Sequence, residues 1–423
     1  MSIKEKLLKP AYVTFAKFLE SNKKRHLREM YRQGVARGEA LRKKDVIKVL
    51  FILTNLPKWK TETLYLAMRE HPRFDPMIGV AMGMVDYPAE VIKKIEILEA
   101  YLKEKSYPFK EIFAKGDVVN DLQPDIVFYQ EAGWGQGGLN SELQFQNLEN
   151  CTFCYISYAF LTASKKLLFD LPLLNSCWLN CVENEEIKQI SAERMTNKGT
   201  NLVVTGLPMA DILMATADND PWKAQDKPKK RIIWSAHHTI GTDDDVIHYG
   251  NFLRIADFMI EIAQATQDQV QWAFEPHPSL KRKLYQIWGE EKTEAYFNRW
   301  NAMPNTQLNS GSYIDLFKHS DAIIHDCGSF TIEYLYMHKP CMYVYNGNDL
   351  QMNTFAQKAW DLYYKGYERA DIEQFVQNVI GGIDPRRDER EAFFAAHLLP
   401  PNGRTATENV IAAILGEKPY DKI

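Results

Sequence analysis

The run KVLFILTN at residues 48–55, followed by TETLYLAM at 61–68, decides how the chain is read. The first stretch is continuously apolar, as in a strand buried on both faces of a sheet. The second places its apolar residues at helical spacing. Together they predict a parallel strand covered by a helix.

Working outward, the alternation continues. Strands are expected at 76–82, 125–131, 151–158, 176–183 and 201–205, with helices at 87–105, 141–148 and 185–195. Residues 217–230, ADNDPWKAQDKPKK, are polar, charged and hold two prolines, which marks a linker or domain edge. The pattern then restarts. Strands are expected at 231–236, 270–275, 306–309, 321–325 and 341–346, and helices at 250–266, 279–288, 312–318 and 329–337. A helix at 405–416 closes the chain. This layout predicts an α/β protein: an arm over 1–45, one Rossmann-type domain over 46–215, a second over 216–400, and a C-terminal helix and tail over 401–423. Two doubly wound domains in series are expected to take ligands in a cleft at the carboxyl ends of their strands.

Composition agrees with a globular protein: 423 residues, 45% hydrophobic and 25% charged. No apolar run approaches the ~20 residues of a spanning helix, and the N-terminus has no cleavable signal pattern. A cytosolic location is therefore expected. The net charge of -4 divides unevenly: residues 1–48 carry 14 Lys+Arg against 5 Asp+Glu, or +9, which leaves -13 for the rest. Leu7, Leu8, Tyr12, Phe15, Phe18 and Leu19 form an apolar helical stripe flanked by lysines. That pattern fits a peripheral helix on anionic lipid at the inner face of the membrane; it equally fits a stripe packed on the domain. No nucleic-acid reading motif accompanies the basic charge, so no nucleic-acid partner is expected. Two cysteine pairs, Cys151/Cys154 and Cys177/Cys181, lie in apolar strand-like segments, which suits reduced core thiols better than zinc. No metal and no cofactor are expected.

The segment richest in chemistry is 320–340, SDAIIHDCGSFTIEYLYMHKP. A strand ends at His325–Asp326, a Cys327–Gly328–Ser329 turn follows, and a helix opens with Phe330 and Thr331. Gly328 permits close backbone approach, Ser329 can cap the helix and donate its hydroxyl, and the first-turn amides attract phosphate. Glu333, one turn in, can accept from ribose hydroxyls. Asp326 can orient a loop or meet substrate. An ordinary capped βα turn has the same sequence signature. Elsewhere, SAHHTIGTD at 235–243 puts His237 and His238 at a strand end, where either can bind phosphate or exchange a proton. Adjacent residues point different ways, so one of the two at most is expected to serve. The carboxylates Asp243, Asp244 and Asp245 that follow read as a solvated loop. His277, in EPHP at 275–278, follows another strand, and Pro278 starts a helix. In the first domain, Glu131 opens the glycine-rich loop EAGWGQGGLN at 131–140 and is the carboxylate best placed to act as a base.

These pieces, in this order, resemble the CDP-glycerol glycerophosphotransferase family, which builds teichoic-acid-like and capsular polymers on a GT-B fold. Its Asp-x-Ser-Ser-type turn and later Lys-Pro resemble Asp326–Ser329 and Lys339–Pro340 here. Its Thr-Gly-x-Pro-Arg-x-Asp motif resembles TGLPMAD at 205–211, with Met209 in place of the arginine. Its His-Pro resembles His277–Pro278. The resemblance implies a nucleotide-diphosphate donor, CDP-glycerol foremost, in the second domain. Asp326, Cys327, Gly328, Ser329, Phe330, Thr331, Glu333, Gly206 and Pro208 would hold it, with His277 and His237 or His238 at its phosphates. It implies a polymer or lipid-linked acceptor in the first domain. One departure matters: the family's first domain carries a Trp-His-Gly-type motif, whereas YISYAFLT at 155–162 has Tyr158 where the histidine would stand. An unperturbed tyrosine is a poor base near neutral pH, so Tyr158 is expected to position the acceptor, or another group is the base. The Asp326–Glu333 segment also resembles the UDP-N-acetylglucosamine 2-epimerases. The missing histidine leaves open a third reading, a non-catalytic nucleotide-binding partner in polymer synthesis.

Overall fold

The computed structural model describes residues 3–81, 88–132, 141–148, 150–217, 219–241, 249–309, 312–345, 347 and 350–421, without the side chains of 3–20, 23, 88–90 and 141. The glycine-rich stretch 133–140, Asp243 to Asp245 and the apolar stripe of the N-terminal arm lie outside this description. The chain divides into two compact units. Unit 1 holds residues 1–159, 165–211 and 400–423; unit 2 holds 160–164 and 212–399.

Unit 1 opens with α1 (Ile3–Leu41) and continues β1 (Ile47–Leu53), α2 (Glu62–Glu70), β2 (Phe74–Ala81), α3 (Pro88–Glu104), β3 (Phe109–Ile112), β4 (Ile126–Tyr129), β5 (Thr152–Ile156), α4 (Pro172–Ser176), β6 (Leu179–Val182), α5 (Glu185–Arg194), β7 (Leu202–Val204) and α6 (Pro208–Met214). All seven strands are parallel, in the order β3-β2-β1-β4-β5-β6-β7. Strand β1 is buried at all but one position because helices cover both faces. The second half of α1 is docked on this unit. A methyl at Gly38 would come within 2.2 Å of the Trp178 ring, Tyr31 Oη donates to Thr200 O at 3.0 Å, and Arg37 Nη1 donates to Cys151 O at 2.9 Å.

Unit 2 runs β8 (Lys230–Ser235), α7 (Phe252–Ala265), β9 (Val270–Phe274), α8 (Leu280–Trp288), α9 (Glu290–Ala302), β10 (Thr306–Leu308), α10 (Tyr313–Lys318), β11 (Ala322–His325), α11 (Phe330–Glu333), β12 (Cys341–Val344), α12 (Thr354–Asp361), β13 (Tyr364–Gly366), α13 (Arg369–Ile380) and α14 (Arg387–His397). Its six parallel strands are ordered β10-β9-β8-β11-β12-β13. This is the Rossmann order 3-2-1-4-5-6, with the chain reversing direction across the sheet between β8 and β11. In unit 1 the same reversal falls between β1 and β4. The core of unit 2 is an aromatic stack in which Trp234 packs on Phe274 at 4.5 Å and on Phe252 at 5.7 Å.

Several local expectations are corrected. The strand expected at 176–183 begins only at Leu179, because Pro172 starts a short helix that runs through Ser176. The helix expected at 141–148 is two 3₁₀ turns, Ser141–Leu143 and Phe145–Asn147. The helix expected at 329–337 is four α residues followed by a 3₁₀ turn, Tyr334–Met337. The short strand β3 and the helices α9, α12, α13 and α14 were not expected from the sequence. The closing helix α15 (Ala406–Leu415) is no separate tail: both oxygens of Asp211 accept from its first-turn amides, Ala406 N and Thr407 N, each at 2.8 Å. Among the described residues, no helix is long and apolar enough to cross a membrane.

Candidate functional site

In unit 2 the residues of interest gather where β8 and β11 part, the place at which open α/β sheets take ligands. Asp326 follows β11 and is buried at 3% exposure. One carboxylate oxygen accepts from His237 N at 2.6 Å, the other from Asn251 N at 2.5 Å. Asp326 thereby ties the chain beyond β8 and the start of α7 to the tip of β11. Burial pushes its carboxyl up to about 7, and the amide bonds offset part of that rise.

Held this way, His237 and His238 both meet His277. Ring centroids are 4.3 Å apart for His237–His238, 5.2 Å for His237–His277 and 4.0 Å for His238–His277. The adjacent pair thus does not point to opposite sides, as strand alternation would have it. Strand β8 ends at Ser235, and beyond it the chain turns, with Ile240 N donating to His238 O at 2.9 Å, so strand alternation no longer applies.

The hydrogen bonds around two of these rings decide where their protons lie. Thr239 Oγ1 accepts from Tyr249 N and Gly250 N, both at 3.0 Å, so its own proton points to His237 Nδ1 at 2.9 Å. Thr239 N also donates to that Nδ1, at 3.3 Å. Ser279 N donates to His277 Nδ1 at 3.1 Å. Both Nδ1 atoms are acceptors, so each neutral ring carries its proton on Nε2 and presents an N–H donor. Burial holds both rings neutral: His277 is lowered to about 3 and His237 well below its ordinary value, with His238 and Lys283 adding to the shift. Lys283, on α8, thus places a cation close to the cluster.

The trio's candidate ligand nitrogens lie within 4.8 Å of one another, the one such group among the described residues. It does not fit a d-block cation. A metal-bound histidine donates its second N–H to an acceptor, whereas the Nδ1 atoms of His237 and His277 already receive protons. Two Nε2–H donors beside a lysine suit an oxyanion. The six cysteines are all buried and form no disulfide.

The turn after β11 is more inward-facing than expected. A methyl at Gly328 would meet the Tyr249 ring at 2.8 Å and Thr162 Oγ1 at 3.0 Å, so glycine is required by close packing. The Cys327 thiol is buried 3.5 Å from Ser235 Oγ. Thr331 Oγ1 donates back to Cys327 O at 3.1 Å. Phe330 packs on Phe317 at 4.8 Å. Ser329 makes no side-chain cap bond, and its carbonyl accepts from Ile332 and Glu333. Glu333, expected at a ribose, is 1% exposed and accepts from Tyr313 Oη at 2.8 Å. Lys339 closes the carboxyl end of α10, donating to Lys318 O at 2.7 Å. Gly206 and Pro208 belong to unit 1. There Gly206, at φ +73, lies against Pro400 and Ala406.

Unit 1 has its own cluster at the β1/β4 reversal. Glu131 Oε1 accepts from Thr54 Oγ1 at 2.8 Å, and Oε2 pairs with Lys58 Nζ at 2.7 Å. Lys58 Nζ sits 5.3 Å over the ring of Tyr158, which is 37% exposed. Thr54, Lys58 and Glu131 line a pocket with Asn55 and Gln130. The structure thus joins Glu131 and Tyr158 through a lysine that sequence reasoning missed. Its signal was present in Asn55-Leu56-Pro57-Lys58, a turn directly after a buried strand. Glu275 was missed as well, although it stands in the quoted EPHP.

No family model and no curated protein matches the sequence. Solved structures do. The wall teichoic acid polymerase TagF aligns with a TM-score of 0.57 at 13% identity, covering 95% of this chain and 96% of that one. The UDP-GlcNAc 2-epimerase of Methanocaldococcus jannaschii aligns with a TM-score of 0.56 at 13% identity, over 87% of this chain and 99% of that one. The S. aureus MnaA–UDP structure aligns at 0.52 and 15% identity, over 87% and 96%. Likeness at this identity speaks for the fold: the chain is an α/β protein with two Rossmann-type domains of the GT-B kind.

Proposed function

We propose that the chain is a GT-B-type transferase that binds a nucleotide-diphosphate donor in unit 2 and passes a glycerol-phosphate, related polyol-phosphate or sugar unit to a cell-envelope or capsule polymer acceptor. One observation carries this reading: His237 and His277, neutral and with their protons on Nε2, converge with His238 and Lys283 at the β8/β11 reversal. Fixed donors in a poorly solvated site stabilise the charge that builds on a departing phosphate, with little reorganisation during the reaction. With a CDP-glycerol donor the acceptor oxygen attacks phosphorus and CMP leaves; with a nucleotide sugar it attacks the anomeric carbon and the nucleoside diphosphate leaves. The motif order 205–211, 275–278 and 326–340 and the structural likeness to TagF favour the polyol-phosphate transfer. In unit 1, Glu131, Lys58 and Tyr158 form the acceptor-side cluster. Lipid contact through the basic first half of α1, at the cytoplasmic face of the membrane, would bring a lipid-linked acceptor near.

A second reading, a nucleotide-sugar epimerase, is favoured by the likeness to 2-epimerases and by Tyr158 in place of the family histidine. One experiment separates them: incubate the purified chain with CDP-glycerol and a glycerol-phosphate-primed acceptor, and separately with UDP-GlcNAc alone. Acceptor-dependent release of CMP supports the transferase. Turnover of UDP-GlcNAc without an acceptor supports the epimerase. Nucleotide binding with neither reaction, under both conditions, favours the non-catalytic partner.

A further inference from the structure

Beyond β9 the chain stays paired with the extension of β8. Glu275 N donates to Trp234 O at 2.8 Å and His277 N donates to Ala236 O at 2.9 Å. Extended residues two apart share a face, about 6–7 Å from each other. Trp234 and Phe274 enter the hydrophobic core, which places Ser235, Glu275 and His277 on the opposite face. On that face Ser235 Oγ donates to the main-chain carbonyl of Glu275 at 2.7 Å and lies 3.5 Å from Cys327 Sγ. The Glu275 carboxylate thus belongs to the face that carries the imidazole donors.

Among the described residues, no ion pair reaches this carboxylate. The carboxylate accepts from Asn309 Nδ2, and the groups that feel its charge are the Cys327 thiol and the Tyr313 hydroxyl, itself bonded to Glu333. Burial pushes the Glu275 carboxyl up to about 7, with the Asn309 bond offsetting part of the rise. The histidines are poorly set to exchange protons here, since the Nδ1 atoms of His237 and His277 are both occupied.

We propose that Glu275 is a ligand-binding acid: as a neutral carboxyl it donates a hydrogen bond to a phosphate oxygen of the nucleotide held by His237 and His277. This rests on the nucleotide-diphosphate reading of unit 2. A neutral carboxyl is an O–H donor, whereas a carboxylate only accepts and repels phosphate. Ionisation of Glu275, its proton passing to solvent, therefore turns a donor into a repelling charge.

The test is calorimetric titration of the full chain with UDP and with CDP, from pH ~6 to ~8.5, for wild type, Glu275→Gln and Glu275→Ala. The wild-type Kd should rise by about tenfold per pH unit above ~7, as for any ligand that needs one protonated group. Glu275→Gln, whose amide donates at every pH, should hold its Kd within about threefold once the nucleotide's own ionisation, common to all three proteins, is subtracted. Glu275→Ala should lose the slope and bind more weakly than wild type at pH ~6. The same slope in wild type and in both variants overturns the inference and leaves the nucleotide reading intact, as does a wild-type Kd that does not change with pH. No binding of either nucleotide to the wild type at pH ~6 overturns both.

Discussion

Thr239 never faces a ligand in this account, yet it should control the site. Its hydroxyl accepts from two buried backbone amides, Tyr249 N and Gly250 N, and gives its proton to His237 Nδ1. Thr239→Val keeps the shape and removes all three bonds. Leaving a buried N–H without an acceptor costs about 1–3 kcal/mol, so two orphaned amides should destabilise unit 2 by about 2–4 kcal/mol, the lower half of the combined range because the loop can relax. For a domain of this size each kcal/mol lowers Tm by about 2–4 °C, giving a drop of roughly 4–16 °C. The His237 tautomer loses its stronger anchor at the same time, so UDP and CDP should bind more weakly. Thr239→Ser, which keeps the hydroxyl, should stay within a few degrees and bind as wild type. Differential scanning calorimetry with and without nucleotide reads both effects. A Thr239→Val protein with wild-type melting and wild-type affinity would refute the shared-hydroxyl arrangement and the tautomer argument built on it.

Other perturbations test separate parts of the structure. Co²⁺ titration should give no tetrahedral d–d bands, since the Nδ1 bonds of His237 and His277 oppose ligation; a spectrum lost in His277→Ala would overturn that argument. Gly38→Ala normally stabilises a helix by about 1 kcal/mol. Here its methyl meets the Trp178 ring at 2.2 Å, so overpacking of about 1–3 kcal/mol should win. Urea denaturation should show net destabilisation and faster proteolysis of α1. Glu275 has a folded-state pKa raised to about 7 from an ordinary 4.5. Its protonated form therefore contributes stability that is complete below the unfolded value and lost as pH rises through ~7, on the order of 3 kcal/mol in all. Melting curves of Glu275→Gln should accordingly be flatter than wild type between pH ~5 and ~8; parallel curves would refute the burial argument. Lys58→Met should reduce transfer to acceptor at least tenfold while leaving nucleotide Kd unchanged, measured by turnover and calorimetry; a changed nucleotide Kd would contradict the acceptor-side placement.

Local spacing in the sequence was enough for the two α/β layers. Runs such as Val49–Leu53 and Ala322–Ile324 are apolar at every position, and only a strand covered on both faces needs that. Glycine marks where some helices stop, as at Gly289, Gly381 and Gly416. The residues at the strand tips were legible for the same reason: His237, His277, Asp326 and Glu131 each follow a buried strand by one to three residues. Short elements were less visible, because a three- or four-residue strand such as β3 carries too few positions for a period to show.

What the sequence could not contain is which tips become neighbours. The order β10-β9-β8-β11-β12-β13 brings His277 beside His237 and Asp326 to the His237 amide, and strand order is a property of the whole sheet. The same holds for burial. Glu333 and Cys327 look available on paper, but the fold buries both. Gly206 was read with the donor site, and only the fold shows that it lies against Pro400 and Ala406. Protonation depends on tertiary contacts most of all. Three of the histidines that end strands of unit 2 or follow them, His237, His277 and His325, accept at Nδ1 from the amide two residues on. That local turn leaves Nε2–H facing outward, but only the fold decides whether it faces a core, as at His325, or a site. The sequence by itself determined the layers and the chemistry available at their edges; the tertiary structure decided which of those groups converge, which are buried, and where their protons sit, because convergence, desolvation and proton placement depend on contacts made far apart in the chain.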